Sequence, residues 1–355
     1  MPDKERLNLP QEKKILVPSG TKVLTPSSLR ESELLIRKSR EPETSGSRIF
    51  PDDRLIRNSL DRQMSDFSQT GNDFEFERSD YGSIVDFFND AAEDYDSDLE
   101  NPYFSFSHEI LKFILTKHIR EHFHGRKNIR LLDAGAGTGN WSKYVLGLNE
   151  SIQGTLFDMN PKMLQIARQK LGSLRGIGTK IIEGNLENPG DFPPEKSDMI
   201  LCLHNVIGMG RNISLILSNI YSHLEDNGLA FIMTSNKYQA FDFTRKYRNF
   251  QEALRVVRDG SVKYKDDMPE MFCFTPAEFH GLLSNAGFDN ITVLGYPVTI
   301  HPQKGDEQLM QKRTSQSLLK DKQTRAQLLS LEKQLCLNPE LAYRAGSSLI
   351  AVCIK

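Results

Sequence analysis

Between Ile129 and Trp141 the chain reads IRLLDAGAGTGNW. An apolar run ends in a carboxylate, Asp133, and Gly135, Gly137 and Gly139 follow at alternate positions ahead of a helix expected to begin near Asn140. Glycines so spaced let the backbone turn sharply and approach a ligand closely. The helix behind them presents N–H groups that have no partner of their own. The chemistry this suits is the binding of a nucleotide-like molecule. A dinucleotide site asks for G-x-G-x-x-G, whereas position 140 here is Asn, and a P-loop asks for a Gly-Lys-Ser/Thr that does not follow. A second acid, Asp158, closes the apolar run GTLFD nineteen residues beyond Gly139. That is near the spacing at which βαβ nucleotide folds place the carboxylate for the ribose hydroxyls. Met159, Asn160 and Pro161 come next, with Pro161 placed to open a helix.

These residues must be held by a sheet. Apolar runs at 129–134, 154–157, 180–183, 199–203 and 229–234 are separated by helix-like segments, the alternation that a parallel sheet with crossovers requires. Two amphipathic helices precede it, one from Ile84 and one from about Tyr103 to Phe123, with Asn101-Pro102 between them. Beyond it, Pro276 to Ala286 predicts a helix, Asn290 to about Ile300 a strand, Asp306 to Tyr343 a long polar helical stretch, and Ser347 to Ile354 a last strand. The final two strands read as an antiparallel pair whose connection is enlarged. The organisation expected is a polar N-terminal extension over 1–80, a helical lid over 81–125, a core over 126–303, a helical insertion over 304–345 and a final strand over 346–355.

Hydrophobic residues make up 38% of the 355 and charged ones 26%, enough apolar material for one good-sized core. No window approaches the length of a membrane span, and the opening MPDKERLNLPQEKK carries no apolar run to act as a secretory signal, so the expected location is the cytoplasm. The four cysteines lack CxxC spacing and read as buried thiols. The first 60 residues hold twelve basic and nine acidic side chains, the next forty two basic and thirteen acidic. A net charge of -2 gives no electrostatic footprint for nucleic acid. His118 and His122 lie at i, i+4, but no third ligand accompanies them, so a solvated or capping role is expected rather than a metal site.

Together these segments resemble the class I S-adenosylmethionine-dependent methyltransferases, in particular their ubiquinone-biosynthesis-like, small-molecule branch. The resemblance runs from about Ile84 to Phe288. It implies a doubly wound, Rossmann-like α/β fold whose seven-stranded sheet is mostly parallel with the last strand antiparallel, and it implies S-adenosylmethionine as cofactor. Tyr95 is similar to the lid element of that branch. The stretch Ile181 to Leu186 is similar to the third-strand motif, with Asn185 where the family usually has Asp; an amide oxygen accepts the same hydrogen bond from adenine. Ser197 to Asn205 matches the fourth strand and the loop bordering the reacting methyl, and Asn227 stands where the family normally shows a second Gly. The cofactor contacts so implied are Tyr95, Asp133, Gly135, Gly137, Gly139, Asp158, Met159, Asn185, Leu186, His204 and Asn205.

His204 is the candidate catalytic residue. It can take a proton from an acceptor, contact the adenine, or serve as a structural hydrogen-bonding group. Candidates for the acceptor side are Tyr238, Arg245, Tyr247 and Arg248 after the fifth strand and His301 after the sixth. Methyl transfer is an in-line displacement, so alignment and exclusion of water count for much and a base is not needed for every acceptor. Three functions are open: transfer to oxygen or nitrogen of a small molecule, transfer to a protein or RNA, and a catalytically silent scaffold. The first is preferred, with no membrane partner.

Overall fold

Side chains alternate along each strand, and this divides the core into two faces. The computed structural model describes residues 81–172, 179–301, 315–346 and 348–355; the extension expected over 1–80 and the first part of the expected insertion lie outside them. In β1 (Ile129–Ala134), Ile129 and Leu131 point to one side and Leu132 and Ala134 to the other. The same split holds for Met199 and Leu201 against Ile200 and Cys202, and for Phe231 and Met233 against Ala230 and Ile232. Strands apolar on both faces need helices on both, which is the physical basis of a doubly wound sheet. Each fully buried Leu, Ile or Phe contributes roughly 1.5 to 3 kcal/mol relative to exposure.

In chain order α1 (Tyr81–Ala91), a 3-10 turn (Tyr95–Glu100) and α2 (Pro102–His122) precede β1. They are followed by α3 (Asn140–Leu146), β2 (Ile152–Asp158), α4 (Pro161–Leu171), β3 (Thr179–Glu183), β4 (Ser197–Cys202), α5 (Val206–Met209) and α6 (Ile213–His223). Then come β5 (Leu224–Asn236), α7 (Lys237–Tyr247), α8 (Phe250–Asp259), β6 (Ser261–Val262), β7 (Met271–Phe274), α9 (Pro276–Asn285) and β8 (Asp289–Tyr296). The chain closes with α10 (Ser315–Lys320), α11 (Lys322–Leu335), a 3-10 turn (Pro339–Arg344) and β9 (Ser348–Ile354).

Strands β3, β2, β1, β4 and β5 are neighbours in that order and parallel. β9 runs antiparallel between β5 and β8. These seven strands are the sheet expected. Two further strands were not: β7 pairs with Ser235 and Asn236 at the end of β5, and β6 pairs with β7. At four and two residues they are too short for a period of two to register in the sequence. Helices α2, α3 and α4 cover one face and α6 and α9 the other. All four cysteines are buried free thiols. Among the described residues no helix is long and apolar enough to cross a membrane.

Helix starts follow local chemistry. Asn101 accepts from the Tyr103 N–H at 2.9 Å ahead of Pro102, Asn160 accepts from Met163 at 3.0 Å ahead of Pro161, and Thr275 with Glu278 forms a reciprocal capping box ahead of Pro276. β8 is shorter than the run to Ile300 suggested, stopping where Pro297 has no N–H to give a ladder.

The C-terminal helices brace the lid. Arg325 of α11 donates to Glu109 at 2.5 Å and to the Pro102 carbonyl at 3.2 Å, and its guanidinium lies 5.6 Å from the Phe106 ring centre, all on α2. Two turns further along, α11 carries Glu332, fully buried, whose carboxylate accepts from the backbone N–H groups of Val298 and Thr299 and from the Thr299 hydroxyl. Glu332→Ala strands two N–H groups away from water, each worth about 1 to 3 kcal/mol. We expect the variant to lose at least about 2 kcal/mol in denaturant unfolding, against a near-neutral effect for the exposed Lys333→Ala; equal small losses would contradict this role.

Candidate functional site

The glycine loop is folded by three different demands. Gly135, Gly137 and Gly139 all have positive φ, at 84°, 52° and 77°, a region costly for residues with a Cβ. A Cβ at Gly135 would meet the Val206 side chain at 2.5 Å, and one at Gly139 would meet Ala167 and Leu156 at 3.1 Å. These two positions let α5 and α4 pack against the loop. At Gly137 a Cβ would meet nothing within 4 Å: this glycine leaves free the space in front of it. The loop is fastened to the end of β2, with Gly135 and Ala136 donating to the Phe157 carbonyl at 2.7 and 3.0 Å and Gly137 donating to Asp158 Oδ2 at 2.8 Å.

Asp158 also accepts from the Asn160 N–H, at 2.8 Å on Oδ1. Burial pushes its carboxyl up despite these backbone donors. Asp133 is 2% exposed, accepts from the Ser142 hydroxyl at 2.6 Å, and is raised to about 6, chiefly by burial, with the charge of Asp158 adding to it. Two acids therefore sit side by side at the carboxyl ends of β1 and β2, each costly to ionise.

They face a cavity of about 240 Å³. Nine of the eleven implied cofactor contacts line it: Tyr95, Asp133, Gly135, Gly137, Asp158, Met159, Asn185, Leu186 and His204. Gly139 and Asn205 do not. Gly139 is the left-handed residue ahead of α3, and Asn205 is buried against β5, its Oδ1 accepting from the Thr234 hydroxyl and the Ser235 N–H at 2.9 and 3.1 Å. Asn185 holds its own turn, its side chain accepting from the Glu187 N–H at 2.9 Å.

The lid supplies residues that spacing did not single out. Tyr81, Ile84, Val85 and Phe88 of α1 line the cavity, as do Phe104 and His108 of α2. Asp96, beside Tyr95, accepts from the Thr138 hydroxyl at 2.8 Å, the Asn140 amide at 2.5 Å and Lys170 at 2.6 Å. Burial acts to raise Asp96, but these partners outweigh it and hold the carboxyl below its usual range. A second tie runs from the Asn160 amide to the Val85 carbonyl at 2.9 Å. The lid is thus tied at two points, through Asp96 to the glycine loop, the start of α3 and α4, and through Val85 to the residue that caps α4. Nothing in the acidic run 93–100 distinguishes Asp96 by type; only folding selects it.

His204 and Asn205 both adopt left-handed φ, 54° and 60°, a conformation that turns the chain abruptly after β4. The Trp141 indole N–H donates to His204 Nε2 at 2.5 Å. An indole only donates, so Nε2 is an acceptor and the ring proton sits on Nδ1. Burial, with His108 adding, lowers His204 to about 3 and keeps it neutral. Its one lone pair is already engaged, which leaves a donor rather than a base facing its surroundings. Trp141, the chain's single tryptophan, was legible only as the residue following the loop.

The acceptor-side candidates are not at the cavity. Tyr247 is exposed and packs on Phe243, and Arg248 is paired with Glu252 and Asp266. Arg245 pairs with Asp242 at 3.0 Å on the same exposed helix face, Tyr238 begins α7, and His301 is exposed at the end of a described segment. His118 and His122 each engage a backbone carbonyl, of Ile114 and Asn227. Among the described residues no group of three His, Cys, Asp or Glu is disposed to hold a metal ion.

Asp133 gives a pH test. Its carboxyl ionises near 3.8 when unfolded and near 6 when folded, so between those values the unfolded chain releases a proton that the folded chain retains. Stability relative to Asp133→Asn therefore falls as pH rises from about 4 and levels off above about 6. The displacement amounts to about 2 to 3 kcal/mol. Unfolding of wild type and Asp133→Asn without ligand, at pH 4 to 8, should show the variant gaining by that amount; parallel curves would refute the burial argument.

Comparison with known proteins follows from this geometry. A methyltransferase-domain family model matches residues 99–293, more than half of the chain. Over 79 residues the chain is 35% identical to a demethylmenaquinone methyltransferase of Tropheryma whipplei (strain Twist), covering 21% of this chain and 30% of that protein. Over 179 residues it is 25% identical to a ubiquinone/menaquinone biosynthesis C-methyltransferase of Haemophilus ducreyi, covering 47% of this chain and 66% of that one. The chain thus spans less than two thirds of the length of these curated relatives. Among solved structures it is similar to a plantazolicin methyltransferase in complex with S-adenosylhomocysteine, at 16% identity and a TM-score of 0.46, covering 85% of this chain and 99% of that one. With the glycine loop, both strand-terminal acids and the strands from β1 to β8 inside or overlapping the matched segment, the chain belongs to the class I S-adenosylmethionine-dependent methyltransferase family.

Proposed function

We propose that the protein transfers the methyl group of S-adenosylmethionine to an oxygen or nitrogen of a small-molecule acceptor. The observation that carries this reading is the cavity in which Gly137 leaves open space directly beside the carboxylates of Asp133 and Asp158. Bound there, the cofactor supplies an electrophilic methyl group on a sulfonium. In this reading Asp158 accepts the ribose hydroxyls, and Asp133 faces the ammonium of the methionine portion. Met159 and Leu186 offer apolar flanks for the adenine, and Asn185 a polar edge. Tyr95 closes the lid over them.

A small acceptor is favoured by the roof. α1 and α2 cover the cavity with Ile84, Val85, Phe88 and Phe104, which leaves room for a compact molecule beneath the lid and not for a folded macromolecule. The thirteen acidic residues among 61–100 disfavour a phosphate backbone. The curated relatives are by name methyltransferases of demethylmenaquinone and of ubiquinone/menaquinone biosynthesis, which supports an acceptor of that size.

Calorimetry with S-adenosylhomocysteine checks the cofactor site. Gly137→Val puts a branched side chain into the open space at a positive φ and should abolish binding, while Asp158→Ala should weaken it by about tenfold or more, one charge-assisted contact being worth roughly 1.5 to 3 kcal/mol. Wild-type affinity in both would remove the site. Labelled methyl transfer into fractionated small molecules, protein and RNA then tests the acceptor. Label in protein or RNA, a carbon-methylated product, or ligand stabilisation with no labelled product would each displace the proposal.

A further inference from the structure

His108 sits on the second turn of α2 and lines the cavity. Its ring centre lies 4.9 Å from that of Trp141 and 5.3 Å from that of His204. Those two are joined by the indole hydrogen bond. His108 differs from them in one respect: among the described residues neither of its ring nitrogens has a hydrogen-bond partner. A half-buried imidazole that lines a cavity and has no protein partner on either nitrogen is open to hydrogen-bond a molecule bound there. The helix that carries it is not free to drift, because Arg325 clamps the neighbouring Glu109 and packs on Phe106.

The surroundings state what that ligand is. The rings clustered with His108 are those of Trp141 and His204, and Phe104 of the same helix also lines the cavity, surroundings suited to a flat molecule. Among the described residues no Lys or Arg lines the cavity, so an acceptor carrying phosphate or carboxylate finds no counter-ion among them. The three lining aspartates are already held, Asp96 by Lys170, Asp133 by Ser142 and Asp158 by backbone donors. We propose that His108 is the acceptor-facing residue of the cavity, its imidazole taking first the hydrogen bond and then the proton of a planar, uncharged hydroxyl or amine. This rests on the cofactor reading given above.

The proton balance is simple. As the acceptor's oxygen or nitrogen bonds the methyl carbon, the electron pair of the broken carbon–sulfur bond stays on sulfur, and the acceptor atom is left with a surplus positive charge. Its proton passes to the free nitrogen of His108 and from there to water. Burial, with Lys112 one turn along adding to it and Asp96 opposing, lowers His108 to about 4, and His204 beside it is neutral. The ring is therefore unprotonated near pH 7 and has a lone pair to offer. A weak base suffices for a hydroxyl, since the proton of an alkylated hydroxyl is far more acidic than an imidazolium; for an aromatic amine, whose alkylated cation is about as acidic as this imidazolium, the transfer is close to balanced and is drawn on by release to water.

Trp141, as the single tryptophan, reports on the surroundings of His108 without knowledge of the natural acceptor. Wild type, His108→Phe and His108→Gln are each measured for S-adenosylhomocysteine affinity by calorimetry, then saturated with it and titrated with catechol or, separately, aniline while Trp141 emission is followed. All three proteins should bind S-adenosylhomocysteine within threefold of one another. At least one probe should quench wild type, with its Kd raised tenfold or more in His108→Phe and returned to within threefold in His108→Gln, whose amide restores an acceptor; the arm that responds tells hydroxyl from amine. Unchanged probe affinity in His108→Phe, no quenching of wild type by either probe, or a tenfold loss of S-adenosylhomocysteine in both variants would overturn the assignment. Failure of wild type itself to bind S-adenosylhomocysteine would instead overturn the cofactor reading beneath it.

Discussion

One buried carboxylate organises the site. Asp158 receives the Gly137 N–H on one oxygen and the Asn160 N–H on the other, so the loop after β1 and the turn into α4 are both referenced to the last residue of β2. Asn160 then caps α4 with its side-chain oxygen and reaches the Val85 carbonyl of the lid with its amide nitrogen. Loop, helix and lid converge on this acid within three residues of chain. Neutral donors reward a charged acceptor with short, strong hydrogen bonds, but they do not cancel the cost of burying it. The upward shift of Asp158 is the sign that this cost is only partly met.

What the sequence made legible was what has a short period or a fixed spacing. The glycine loop, Asp158, the Asn101-Pro102 and Asn160-Pro161 helix starts and the alternating strands all lie within a few residues of one another, and each is found where expected. The antiparallel pairing of β8 with β9 followed from two apolar runs at the chain's end. What escaped was contact between distant segments. Asp96 and Lys170 are seventy-four residues apart, Trp141 and His204 sixty-three, and Arg325 and Glu109 two hundred and sixteen. No local pattern marks such pairs. His204 was singled out for its place after β4, yet its lone pair is spent on Trp141; the free imidazole belongs to His108, which in sequence is one more polar residue on an amphipathic helix.

The same limit explains the acceptor-side candidates. Tyr238, Arg245, Tyr247, Arg248 and His301 mix aromatic and cationic character after strand ends, where α/β sheets present ligands. The chain after β5 instead spends that character on a surface helix pair and the small β6-β7 extension, with Arg248 bridging Glu252 and Asp266. The cavity takes Phe104 and His108 from the lid helix α2 instead, and Arg325 of α11 holds that helix from outside the cavity. A segment with no residue in the cavity can thus set where a cavity residue stands.

Charge ties these features together. The cavity holds two strained acids and two neutral imidazoles, and no lysine or arginine among the residues that line it. Two neighbouring carboxylates that burial makes harder to ionise are costly in isolation, and a cation nearby reduces that cost. The methionine portion of the cofactor carries an ammonium, and that group is common to the methyl donor and to its demethylated product. On the proposed reading Asp133 meets that ammonium in both forms alike, and the distinction between them would fall on the region of the sulfonium. An apolar, aromatic wall beside an electrophilic methyl keeps water from competing as the nucleophile, and it leaves one lone pair, on His108, for a proton that the chemistry must release.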